Sequence, residues 1–228
     1  MKILKTDFIE GARQARGVVV IIDVFRAFSV ACYCFMRGAG RIIAVGEVEA
    51  ALRLREHYPG ALLIGERGGR KLAGFDFGNS PTEIMAADLQ GRTLIHTTHA
   101  GTQGIVNATG ADEILTGSLV NAMAVAHYIR DKKPEVVTLV RMGLEASSAS
   151  DEDNICADYL ESLLRGKPLE REGIRQFLTA SPFSARFFDP AIPWNPESDF
   201  HYCLNIDAFD AAIRASRNGL GDLELRPV

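Results

Sequence analysis

Six stretches of the chain carry residues that could do chemistry. Asp23 ends the unbroken β-branched run Val18-Val19-Val20-Ile21-Ile22, and Arg26 follows three residues later. A carboxylate in that place can hold a hard cation, and a guanidinium one helical turn on can grip a phosphate or carboxylate with two bonds. Capping of the next helix is the plainer role for Asp23. Gly65-Glu66-Arg67-Gly68-Gly69-Arg70 is a turn whose glycines can present N–H groups to an anion, with an acid and a base at its tip. Solvated charges on a surface turn are the alternative. In Gly74-Phe75-Asp76-Phe77-Gly78-Asn79-Ser80-Pro81-Thr82-Glu83, Ser80, Pro81 and Glu83 make a capping box. Capping leaves Gly74, Asp76, Gly78 and Asn79 unexplained, and a polar, glycine-rich loop before a helix is also how anions are bound. Thr97-Thr98-His99-Ala100-Gly101-Thr102 offers hydroxyls and N–H groups to phosphate oxygens. It lacks the Gly-Lys-Ser/Thr ending of a nucleotide-binding P-loop. His99 there can protonate a leaving group or serve as a hydrogen-bonded spacer. Further on come Gly117-Ser118 with Asn121, and the acidic string Asp151-Glu152-Asp153. That string suits a helix N-terminus and also a divalent metal.

These residues need elements to position them. Short Val/Ile-rich runs at Val18 to Ile22, Arg41 to Val45, Ala61 to Gly65, Thr93 to His96, Glu113 to Thr116 and Glu135 to Val140 read as strands. Helical segments fall between and after them: Ala27 to Arg37, Val48 to His57, Thr82 to Ala87, Gly101 to Ala108, Val120 to Arg130 and Asp153 to Leu164. The alternation predicts an α/β fold, a mostly parallel or mixed sheet with helices on both faces. Residues 1–228 read as a single domain, or two intimately packed lobes. Ligands of such sheets bind beyond the carboxyl ends of the strands, where the turns above all fall. Beyond about Arg165 the pattern is less regular, and Phe183, Phe187, Phe188, Trp194 and Phe200 read as packing that closes the structure.

Composition narrows the function. Of 228 residues, 47% are hydrophobic and 24% charged, which excludes a disordered linker. The net charge of -4 and the lack of a basic run exclude a nucleic-acid footprint. No apolar run approaches the roughly 20 residues of a membrane span, and the first residues do not form a signal peptide. Cys32, Cys34, Cys156 and Cys203 have no CxxC spacing and read as buried free thiols of a cytoplasmic protein, Cys156 keeping a thiolate role open. Asp23-Val24-Phe25 lacks the Asp-x-Asp of aspartyl-phosphate enzymes, so in-line attack by water is the simpler route and a covalent Asp23 intermediate the second.

The strings Asp23-Val24-Phe25-Arg26-Ala27, Gly65 to Gly69, Gly74 to Pro81, Ala100-Gly101-Thr102, Gly117-Ser118 with Asn121, and Glu152-Asp153 with Cys156-Ala157 resemble the 2-phosphosulfolactate phosphatase family from about Val18 to Leu164. The resemblance implies a magnesium-dependent phosphatase with its own α/β fold. It would hydrolyse 2-phospho-3-sulfolactate to sulfolactate and phosphate, on a route to coenzyme M. The residues themselves suggest the roles. Asp23, Glu66, Asp76, Glu152 and Asp153 are candidate Mg2+ ligands. Asp23, Arg26, Glu66 and His99 are the catalytic candidates. Arg67, Gly68, Gly69, Asn79, Thr98, Gly101, Thr102, Gly117 and Ser118 are candidates to bind substrate, a small phosphorylated acid. Two clusters, Arg26 with Thr97 to Thr102 and Arg67 with Gly68-Gly69, would take its two anionic groups. A phosphatase acting on a different phosphorylated acid, or a non-catalytic binder of a small anionic metabolite, is the alternative. Neither nucleic acid nor membrane is expected as a partner, and a homodimer is left open.

Overall fold

A computed structural model describes residues 1–228. Ten strands form one sheet: β1 (Lys2–Asp7), β2 (Val18–Ile22), β3 (Arg41–Ala44), β4 (Leu62–Arg67), β5 (Arg70–Lys71), β6 (Thr93–Thr97), β7 (Glu113–Gly117), β8 (Val136–Arg141), β9 (Ile213–Arg217) and β10 (Leu223–Pro227). The helices are α1 (Phe8–Gln14), α2 (Ala27–Met36), α3 (Val48–His57), α4 (Pro81–Met85), α5 (Gly101–Asn107), α6 (Ala122–Lys132), α7 (Asp151–Leu164), α8 (Arg171–Thr179) and α9 (Glu197–Cys203). The strand order is β1-β8-β2-β7-β9-β10-β3-β6-β4-β5. Two parallel groups, β1-β8-β2-β7 and β3-β6-β4, are joined by antiparallel β9 and β10.

The side-chain alternation of β2 explains the layering. Val19 and Ile21 face an inner core with α2, whereas Val18, Val20 and Ile22 face an outer core with α6 and α7. In the second group Ile42, Ile64 and Leu94 join the same inner core, and Ile43, Leu63 and Ile95 turn outward to Ala51 of α3. One period-two pattern therefore places each strand between two layers, which is why no polar face appears along β2. The inner core is shared by both parallel groups. Residues Ala27 to Cys34 of α2 are all buried in it. Ile105 of α5 packs in the same core, and residues that follow strands several places apart in the sheet line a common cleft.

The expected elements from Ala27 to Leu164 are present with small changes at their ends. The helix expected from Val120 begins as a 3-10 turn, Leu119–Asn121, before α6. The irregular C-terminal region is a correction: it supplies α8, α9 and two strands in the middle of the sheet. β9 and β10 are short and carry four charged residues, Arg214, Arg217, Glu224 and Arg226, and this hid them. β1, an edge strand with Lys2 and Lys5, was missed for the same reason. The aromatic cluster is only partly core. Phe187 and Phe200 are buried, Phe188 is exposed, and Trp194 lines the cleft. No helix is long and apolar enough to cross a membrane.

Candidate active site

The carboxyl ends of β2, β4, β6 and β8 meet in a cleft of about 270 Å³. Its wall includes Asp23, Arg26, Glu66, Gly68, Gly69, Asn79, His99 and Glu152 from the sequence-predicted set. Glu66, Asp23 and Asp153 share one feature: backbone N–H groups of the turns are bonded to them. Glu66 Oε2 accepts from Gly69 N–H at 2.7 Å, and Oε1 accepts from His99 N–H at 2.8 Å. Asp23 Oδ1 accepts from Ala27 N–H at 3.0 Å, and the Gly101 N–H also stabilises this carboxylate. Asp153 accepts from Val24 N–H at 2.8 Å and from Gly143 N–H at 2.7 Å, tying the loop after β2 to the loop after β8. The glycine-rich turns thus fix carboxylates, where the sequence suggested that they would cradle an anion.

Two glycines are required here by geometry. A Cβ at Gly101 would stand 2.7 Å from Ala27 Cβ and 2.8 Å from Asp23 Oδ2, so only glycine lets α5 approach Asp23. Gly69, at φ +78°, closes the two-residue turn between β4 and β5 and aims its N–H at Glu66.

Three acids of the cleft, Asp23, Glu66 and Glu152, are buried. Burial pushes the Asp23 carboxyl up to about 7, with Glu66 and Glu152 adding to the effect against the opposing N–H bonds. Burial also raises Glu152, countered by Arg186. Asp153 is raised well above the carboxylate range by burial, then by Asp23 and Glu152. Glu152 Oε2 is buried without any partner. Carboxylates held together in this way favour a cation between them. No three acid, imidazole or thiol side chains converge tightly enough to enclose an ion unaided. Magnesium commonly uses one or two carboxylates and takes its other oxygens from water and substrate phosphate. Asp23, Glu66 and Glu152 are the residues that could hold such an ion.

Arg26 is anchored rather than free. Its Nη1 donates to buried Asp199 and to the Trp194 carbonyl at 3.0 Å, and its Nη2 donates to the Gly69 carbonyl at 3.2 Å. Asp199 Oδ1 in turn accepts from Ser80 Oγ at 2.8 Å and Thr82 N–H at 2.9 Å. Ser80 caps α4 as expected, but the Glu83 carboxylate reaches the Gly78 N–H rather than the cap residue's own. Asn79 Oδ1 lies 3.2 Å from His96 Nε2, fixing the amide at the cleft wall. The exposed His99 lines the same wall.

Several expected residues lie elsewhere. Arg67 turns away from the cleft, donating to the Glu66 carbonyl, the Gly46 carbonyl and Thr97 Oγ1. Thr98 and Thr102 cap each other, each hydroxyl accepting the other's N–H, so neither N–H is available to a phosphate. Gly117 packs against Val20 and Ile22, where a Cβ would come within 2.7 Å. The Ser118 hydroxyl and N–H both donate to Asn121 Oδ1 and start the following turn. Asp76 accepts from Leu63 N–H at 2.8 Å and pairs with Arg55 at 3.4 Å, outside the cleft. Asp153 is buried behind the cleft wall with both oxygens in use. Cys156 sits in the outer core with its thiol pushed up by burial, so it does not supply a thiolate. Sequence reasoning missed Asp199, Arg186, Trp194 and Asn195, all from the C-terminal segment. No periodic pattern or turn motif marks them.

A larger groove of about 1080 Å³ opens at the other end of the strands, around Arg16, Glu113, Lys132 and Arg214. Its Arg214 lies 3.5 Å from Glu113, and Arg16 donates to carbonyls of Arg13 and Ala15. The fixed acids lie in the smaller cleft, and the chemistry belongs there.

The sequence profile of the 2-phosphosulpholactate phosphatase family matches residues 3–218. A probable 2-phosphosulfolactate phosphatase of Clostridium acetobutylicum is 33% identical over 222 residues, covering 90% of this chain and 92% of the relative. One of Caldanaerobacter subterraneus is 30% identical over 215 residues, 89% of this chain and 88% of the relative. One of Bacillus subtilis is 30% identical over 203 residues, 88% of this chain and 87% of the relative. With its matched length spanning every strand but β10 and every wall of the cleft, the chain belongs to the 2-phosphosulpholactate phosphatase family.

Proposed function

We propose that the protein is a magnesium-dependent phosphatase acting on the phosphate ester of a small acid, with 2-phospho-3-sulfolactate as its substrate. Membership of the family and the names of the relatives support the reaction and the substrate. The observation that carries the magnesium is the set of three carboxylates, Asp23, Glu66 and Glu152, lining a cleft whose one deeply buried guanidinium is already paired with Asp199. A phosphate group 4 Å from a carboxylate at an effective dielectric of about 20 meets a repulsion of about 4 kcal/mol per unit charge pair. Where these acids are ionised they repel the substrate, and a cation between them removes that repulsion. The same acids argue against a simple anion binder, which gains nothing from them.

In this reading Asp23, Glu66 and Glu152 hold the ion. Bound Mg2+ supplies a hard positive charge that offsets the negative charge of the phosphoryl oxygens. Glu66 is fixed by two N–H bonds and presents its remaining lone pairs without reorganisation. Phe25 and Trp194 line the cleft beside these acids and give it part of an apolar wall. His99 stands at the wall and can donate a proton to the departing alkoxide oxygen. The P–O bond to the substrate breaks, water supplies the new oxygen, and the products are sulfolactate and inorganic phosphate. The test is phosphate release from 2-phospho-3-sulfolactate with added Mg2+ and with excess chelator. Release that needs the metal is the expected result, and full activity in chelator would remove the ion from the account.

A further inference from the structure

The proposed substrate carries a carboxylate and a sulfonate besides its phosphate and needs a cation for an acid group that does not react, but the sequence-predicted choice, Arg67, faces away from the cleft. Only two guanidinium groups line the cleft, those of Arg26 and Arg186. Arg26 has its charge paired with buried Asp199 and spends three of its five N–H groups on that acid and two carbonyls. Arg186 is different. It comes from the 3-10 turn Pro182–Phe187, and its guanidinium rests over the rings of Phe25 and Phe187 at 5.8 and 5.2 Å. Its polar contacts are loose: 3.6 Å to Glu152 Oε1 and 3.5 Å to the Phe25 carbonyl. Its Nε is buried with no partner at all, and Glu152 Oε2, on the facing residue, has none either. Charge-assisted bonds between such groups normally close to about 2.7–2.9 Å. Two opposite charges with unused valence thus face one cleft without committing to each other.

Depth separates the two ends of a bound ester. Asp23 and Glu66 are buried, whereas the Arg186 side chain keeps 24% of its surface exposed although its Nε is buried, so it stands nearer to solvent than those two acids. Ile192, Trp194 and Asn195 of the same C-terminal segment also line the cleft. The reacting phosphate must reach those two acids, so the rest of the ester lies toward Arg186. We infer that Arg186 is the specificity-determining residue, its planar fork binding the carboxylate that the substrate carries beside its phosphate ester. In the free protein Glu152 holds Arg186 loosely. Ligand binding releases it and leaves Glu152 to the cation. The inference rests on the phosphatase reading and names the part of the site that selects the substrate class.

The experiment compares kcat/KM for 2-phospholactate and isopropyl phosphate, which differ by a carboxylate against a methyl group, in wild type, Arg186→Ala and Arg186→Lys. It adds calorimetry of 3-sulfolactate binding in Mg2+. We expect wild type to favour the acid, and the acid-to-neutral ratio to fall on the order of tenfold to a hundredfold in Arg186→Ala. Arg186→Lys keeps the charge and the stem but not the fork, and should recover only part of the ratio. 3-Sulfolactate affinity should fall at least about tenfold in Arg186→Ala. An unaltered ratio, or an equal loss on both esters, would overturn the assignment, the second by showing that Arg186 serves the phosphate or the fold. If wild type hydrolyses neither ester nor 2-phospho-3-sulfolactate, the phosphatase reading fails, and calorimetry still judges Arg186. Weakened 3-sulfolactate binding in both variants supports its role. Equal binding, or no binding by wild type, rejects it. Should Arg186→Ala not fold, Arg186→Lys decides between the same outcomes.

Discussion

Replacing Asp23 by asparagine should make the metal-free protein more stable and the enzyme nearly inactive. Burial with Glu66 and Glu152 raises the Asp23 carboxyl from 3.8 to about 7. A folded-state value above the unfolded one means that the folded protein holds its proton more tightly. Stability from that proton is complete below about pH 4 and is lost as pH rises to 7 and beyond. The difference is worth about 4 kcal/mol. Asparagine keeps an oxygen for the Ala27 N–H, but its amide group turned to Gly101 leaves that N–H without an acceptor, costing about 1–3 kcal/mol. The net gain at about pH 8 is about 1–3 kcal/mol, which for a chain of this size raises Tm by about 2–10 °C. Melting in chelator at about pH 8 measures this. In Mg2+ wild type should gain more stability at about pH 8 than at about pH 6, because the ion replaces the proton, while Asp23→Asn should gain little. Turnover should fall at least about a hundredfold. A variant that is less stable in chelator, keeps the magnesium-induced shift and turns over normally would show that Asp23 only caps α2.

Other outcomes follow from the same geometry. Buried His96 has its imidazole lowered from 6.5 to about 4 by burial, so the unfolded chain takes up a proton first as pH falls. Its contribution is intact above 6.5 and is lost between 6.5 and about 4, about 3 kcal/mol in all; His96→Gln should flatten that part of the chelator-treated stability profile relative to wild type, and identical slopes would refute the assignment. Arg67→Ala removes three bonds to the Gly46 and Glu66 carbonyls and Thr97, so it should cost about 1–3 kcal/mol in denaturant midpoints and leave the preference for acidic esters in place; loss of that preference would return Arg67 to the substrate site.

The first half of the fold was legible because its signals are local. Five consecutive β-branched residues at Val18 to Ile22 can only be a strand buried on both faces, and every turn after a parallel strand points to one edge of the sheet. Asp23, Glu66, His99 and Glu152 were found by that rule. The direction of a side chain within a turn was not legible. Arg67 and Gly68-Gly69 sit side by side in sequence, yet the arginine leaves the cleft for Gly46 while Gly69 turns inward to Glu66. Nor could the sequence show that turn N–H groups would be taken by the protein's own acids. Thr98 and Thr102, four residues apart, bond each other because α5 starts between them. The C-terminal contribution was hidden for a different reason. Arg186, Trp194 and Asp199 come from a segment without clear periodicity; the first two line the cleft and Asp199 backs Arg26 through tertiary packing of α9. Asp199 is a plain surface-type residue in sequence, but it is fully buried because it neutralises Arg26 and holds the start of α4.

The central claim is that Asp23, Glu66 and Glu152 hold a divalent cation in the cleft. Diffraction from crystals grown with Mn2+, recorded at a wavelength where manganese scatters anomalously, tests it most directly. A single strong peak touching at least two of these carboxylates is the predicted result, with an oxygen anion such as sulfate or phosphate on its open side. A peak at Asp76, or crystals saturated with Mn2+ that show no peak at these three acids, would contradict it.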